Sequence, residues 1–116
     1  MPLESGFRER AEHNERFLSS FDLYRTEYLD WAVTTAFYVA VRYVDAFFFP
    51  KRPHNHEERL EWVRTDPHTR VIGNEYRELF HYSRNSRYEL TEFTAFEVDS
   101  LIANRLSRVK AHMLRQ

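Results

Sequence analysis

The sequence predicts an all-α protein, an up-and-down bundle of four to five helices around one long central helix. Three observations carry that expectation. Residues 30–49, DWAVTTAFYVAVRYVDAFFF, gather Asp30, Thr34, Thr35, Tyr38, Arg42 and Asp45 into one arc of roughly 140° when wound at about 100° per residue. The rest of that stretch is almost wholly apolar, and a helix apolar over so wide an angle needs protein on several sides. The chain of 116 residues is the size of a single domain, 1–116, and its two Gly and four Pro leave few breaks between helical segments. Ten Phe, seven Tyr and two Trp supply bulky rings for packing between helices.

The first helix is expected from about Glu4 to Ser20, where Leu3, Phe7, Ala11, Asn14, Leu18 and Phe21 keep helical spacing opposite a mixed-charge face. Thr26 is a plausible N-cap for the central helix, and Pro50 ends it because the residue before a proline is pushed out of the helical region. Asn55 and Glu58 predict a reciprocal cap for a third helix that stops at Asp66-Pro67. A fourth segment, Arg70 to Glu89, carries the stripe Ile72, Tyr76, Leu79 and Phe80, which continues onto Ser83 and Arg87. Thr94 and Glu97 form a capping box that opens the last helix, with Val98, Leu101, Ile102, Leu106, Val109 and Met113 inward and Arg105 within the stripe at a rim.

Composition narrows the function classes. A formal charge of −1 argues against a protein that coats nucleic acid by bulk charge alone. Without Cys there are no disulfides, zinc–thiolate sites or thiol nucleophiles. That absence, with an N-terminus lacking the pattern of a signal or transit peptide, fits a cytoplasmic protein. Arg42 and Asp45 would each cost ~3 kcal/mol near a bilayer centre, so no membrane association is expected of the central helix. Fifteen Arg stand against two Lys. A GC-rich genome accounts for that bias without function; phosphate recognition by the planar guanidinium fork accounts for it with one.

Two places hold candidate ligand-binding residues. His54 and His56 are two apart and point to different sides of a helix start, so no metal or other cofactor is expected there. His56 and Arg59 share a face and form a candidate anion-binding pair, with a surface cap as the alternative. Ser83 and Arg87 stand where a core helix would place Leu, and Arg84 with Asn85 lies at the edge of the same stripe. A guanidinium cannot be buried alone, so Arg87 either pairs with Asp45 or Asp30 of the central helix or lines a polar cleft.

The central helix followed by HNHEERLEWV, and then YRELFHYSRNSRYE with its Tyr-x-x-Leu-x-x-x-Ser-Arg-x-x-Arg-Tyr pattern, resembles the HEPN superfamily over about residues 5 to 110. The resemblance implies a helical bundle that often pairs as a two-fold homodimer. Active members are metal-independent endoribonucleases, some of them toxins of toxin–antitoxin or defence systems. They carry Arg-x(4–6)-His, often with Asn after the Arg; the Arg holds the scissile phosphate and the His helps activate the ribose 2′-hydroxyl. Here Arg84-Asn85 matches the start of that motif, while spacings of four, five and six end on Glu89, Leu90 and Thr91. No His follows at those positions, which leaves three expectations: a non-catalytic module binding RNA or a nucleotide through Arg84, Asn85, Arg87, Ser83, His56 and Arg59, a diverged ribonuclease, or a structural dimer that engages a cognate protein partner.

Overall fold

The computed structural model describes residues 2–88 and 91–116 and is all-helical among them. The helices are α1 (Ser5–Ser19), α2 (Leu29–Phe48), α3 (His56–Thr65), α4 (Gly73–Tyr88) and α5, which runs over residues 95–114. A 3₁₀ turn, Arg70–Ile72, leads into α4. No described helix is long and apolar enough to cross a membrane.

The central position expected of α2 is observed. Its 20 residues extend ~30 Å, and Ala32, Val33, Ala36, Phe37, Val39, Ala40, Val41, Tyr43 and Val44 are almost wholly removed from water. Helix α1 packs along one flank, α4 along another, and α5 closes the core. Each neighbour contributes the stripe that its spacing predicts: Ala11 and Leu18 from α1, Tyr76, Leu79 and Phe80 from α4, and Val98, Leu101, Leu106, Val109 and Met113 from α5. Ser83 continues the α4 stripe and is fully buried.

The helix ends follow from local chemistry. The Glu4 carboxylate accepts from the Gly6 and Phe7 amides and caps α1. Asn55 accepts from the Glu58 amide at 2.8 Å, but the Glu58 carboxylate turns to the His54 amide at 3.0 Å, so the expected reciprocal cap is only half made. Thr26 does not cap α2. Its hydroxyl accepts from the Tyr28 amide at 3.0 Å, forming a turn ahead of the helix, which begins at Leu29 without a side-chain cap. The Thr94–Glu97 capping box is complete.

A π-helical stretch, Leu101–Leu106, interrupts α5 between its α-helical ends Ala95–Ser100 and Ser107–Leu114. Periodicity alone did not reveal it. Across it the buried residues are those of the expected stripe, Val98, Leu101, Leu106, Val109 and Met113. Arg105 then pairs with Glu78 of α4 at the rim. Because Leu79 is fully buried at the α2–α4 contact, Leu79→Ala is expected to lower unfolding free energy by about 2–5 kcal/mol, measured by urea denaturation.

Candidate functional site

The polar arc of α2 meets α3 and α4 along a seam that begins at Asp45. This carboxylate is 6% exposed, and two guanidiniums answer it: Arg59 Nε from α3 at 2.9 Å and Arg42 Nη1 from its own helix at 3.1 Å. The Arg59 side chain is itself only 11% exposed, so the pair is an internal one. The Tyr76 hydroxyl is buried and finds no hydrogen-bond partner among the described residues. Burial pushes its phenol pKa well up, with nearby Arg59 opposing.

From Arg59 the seam continues through a fixed sequence of donors and acceptors. Arg59 Nη1 lies 2.8 Å from His56 Nδ1. A guanidinium nitrogen can only donate, so Nδ1 accepts and the neutral ring carries its proton on Nε2. That Nε2–H faces the Tyr38 hydroxyl at 3.3 Å. On the other side, Arg87 Nη1 donates to the same hydroxyl at 3.2 Å, while Arg87 Nε donates to the Ser83 carbonyl at 3.3 Å. The Tyr38 oxygen thus accepts from α3 and from α4, and its own proton has no acceptor among the described residues. The His56 ring also meets Phe37 edge-on, with centroids 5.2 Å apart.

Burial is the largest influence on His56, and the Arg59 and Arg87 charges add to it, so the imidazole pKa lies below its ordinary value; Glu57 and Asp45 oppose the shift. The ring is therefore neutral around pH 7. A second link ties α2 to α4 one turn earlier. The Ser86 hydroxyl donates to the Ser83 carbonyl at 2.7 Å and so accepts from Thr34 Oγ1 at 2.8 Å.

Of the residues expected from sequence, His56, Arg59 and Arg87 converge on the seam. Ser83 lies beneath it, its hydroxyl buried without a partner among the described residues. Arg84 and Asn85 are exposed on α4, outside the bonded chain. Arg87 makes no ion pair with Asp45 or Asp30: Arg42 and Arg59 occupy the first acid, and the second is exposed. The half-buried Arg87 takes the other alternative and lines a polar seam. Arg59, expected to face an anion, is engaged by Asp45 and His56. Glu89 and Leu90, which follow Arg84 after four and five intervening residues, lie outside the described residues; Thr91 is exposed. Sequence reasoning missed Tyr38 as a site residue, although its place between Thr34 and Arg42 in the polar arc was the available signal.

Comparison with family models, with curated proteins and with solved structures returns no match.

Two expectations follow from this geometry. Asp45→Ala leaves Arg59 and Arg42 without their carboxylate and is expected to destabilise the fold by about 3–5 kcal/mol in chemical denaturation; Asp45→Leu combined with Arg59→Leu is expected to recover much of that loss. In a nuclear magnetic resonance titration His56 is expected to protonate below about pH 6.5. Since the folded pKa is the lower one, this group's contribution to stability is complete above the unfolded value and is lost as pH falls through the folded value.

Proposed function

We propose that this protein is a HEPN-like helical module that binds phosphate groups of RNA or of a nucleotide at the seam between α2, α3 and α4, without cleaving the ligand. The observation that carries this reading is the Arg87 guanidinium. It is half-buried, it makes no ion pair among the described residues, and it is held by a carbonyl and a hydroxyl rather than neutralised. Its Nη2 makes no hydrogen bond among the described residues, which leaves donors for an anion. A guanidinium fixed on a helix presents its fork in a set direction, and a phosphate oxygen completes it. Arg84, exposed one turn away on the solvent side, would add a second contact.

The state of His56 supports binding over cleavage. A base that activates a ribose hydroxyl needs a free ring lone pair. In His56 the Nδ1 lone pair is occupied by Arg59, and Nε2 carries the proton that faces Tyr38. In this arrangement the ring donates a hydrogen bond and accepts no proton from a substrate.

The test is fluorescence anisotropy with an end-labelled single-stranded oligoribonucleotide, alongside thermal melts. Arg84→Ala is expected to lower affinity with almost no change in Tm. Arg87→Ala is expected to lower affinity about tenfold or more and to lower Tm as well. Binding that survives Arg87→Ala unchanged would place the ligand elsewhere. Steady cleavage of the RNA by the metal-free protein would overturn the non-catalytic part of the reading.

A further inference from the structure

A groove of about 810 Å³ runs between α1 and α2 on the other side of Tyr38. Its walls are two facing helical stripes. From α1 come Phe7, Arg10, Asn14 and Phe17, at spacings of three, four and three; from α2 come Trp31, Thr34, Tyr38 and Arg42. Phe49 and Arg52 close the end nearest the start of α1. Both walls thus carry rings and guanidiniums, Phe7, Arg10 and Phe17 on α1 and Trp31, Tyr38 and Arg42 on α2. Several of the rings face water: Phe17 is 52% exposed, Trp31 58% and Phe49 44%. From Trp31 to Arg42 the track is ~17 Å long, the height of about five stacked bases.

The charges narrow the choice of occupant. Arg10 and Arg52 make no ion pair among the described residues, and the Arg52 guanidinium lies over the Phe7 ring at 5.5 Å. The one carboxylate in the groove, Glu4, has both oxygens turned to the Gly6 and Phe7 amides. An apolar protein segment would cover the rings and leave these cations unanswered. An acidic helix would answer the cations, yet it would gain little from flat aromatic faces spaced along the groove. A single strand of RNA answers both, with bases against the rings and phosphates against the guanidiniums. Tyr38 belongs to the groove and to the seam at once, and its hydroxyl proton, without an acceptor among the described residues, is a donor at the junction of the two.

Resting on the reading of the seam as a phosphate site, we infer that the α1–α2 groove is a base-stacking track for unpaired RNA, with Trp31 and Phe17 as stacking platforms and Arg10 and Arg52 as backbone contacts. The ligand class is thus single-stranded rather than duplex RNA, because paired bases keep their faces inside the helix.

The experiment compares an unstructured 12-nucleotide RNA, a duplex of the same length and inorganic tripolyphosphate against the full chain and its Trp31→Ala, Phe17→Ala and Arg87→Ala variants. Circular dichroism melts confirm that each variant is folded, which the exposure of Trp31 and Phe17 favours. Trp31→Ala is expected to weaken the single strand about 5- to 150-fold, to leave tripolyphosphate binding unchanged, and to bring single-strand affinity down toward that of the duplex. Phe17→Ala is expected to act in the same direction. If Arg87→Ala abolishes RNA binding while Trp31→Ala and Phe17→Ala do nothing, the groove is not the track and the seam reading stands. If the unaltered chain binds neither RNA nor tripolyphosphate, the seam reading itself fails and takes this inference with it. If Trp31→Ala converts an RNA-free dimer into a monomer by light scattering without weakening the single strand, the groove is an interface between copies of the chain and the inference is overturned.

Discussion

A carboxylate withdrawn from water on the central helix has to be answered by cations, and Asp45 is answered by Arg59 and Arg42. Much of the polar arrangement depends on the first of these contacts. With Arg59 Nε fixed by Asp45, its Nη1 can reach only as donor toward His56 Nδ1. That assigns the imidazole tautomer, which in turn assigns the direction of the hydrogen bond to Tyr38. Arg87 then meets a hydroxyl whose acceptor capacity is shared between two helices. One buried ion pair thereby orients three further side chains, drawn from α2, α3 and α4.

Helix α2 serves the core and the seam with opposite faces. Its Val, Ala and Phe face binds α1, α4 and α5 together, and its polar arc supplies Thr34, Tyr38, Arg42 and Asp45. A site built on packed helices holds its donors more firmly than one built on loops, since each side chain inherits the position of a backbone already fixed by burial. Phe37 joins the two functions: it is fully buried, and it contacts the His56 ring as well as Tyr76 and Phe80. Aromatic packing thus limits how far the imidazole can turn away from Tyr38.

The C-terminal helix shows how a charged residue within an apolar stripe is accommodated. Its expected apolar stripe has Arg105 within it, and a guanidinium placed there needs a partner at the rim. Across the π stretch at Leu101–Leu106, Leu106 enters the core as its spacing predicts and Arg105 finds its partner in Glu78 of α4. The same pressure acts on Arg87, yet there it is met differently. The helix stays regular, and the guanidinium is held in part by a carbonyl of its own helix and a hydroxyl of α2.

By itself the sequence determined the all-helical class, the central place of α2, the stripe from Ile72 through Ser83, and the caps at Asn55 and Thr94. Each of these rests on interactions within a turn or two of chain, where spacing and side-chain reach suffice. It also marked Ser83 and Arg87 as out of keeping with a core stripe, and His56 with Arg59 as a pair sharing one helix face. Only the tertiary structure decided that Asp45 goes to Arg59 rather than to Arg87, that Tyr38 joins α3 to α4, that Arg84 and Asn85 stay in water, and that α5 widens into a π turn. Those outcomes depend on the rotation and axial offset of one helix against another. Both are set by how all the side chains fill the shared core at once, and no single stretch of sequence carries that information.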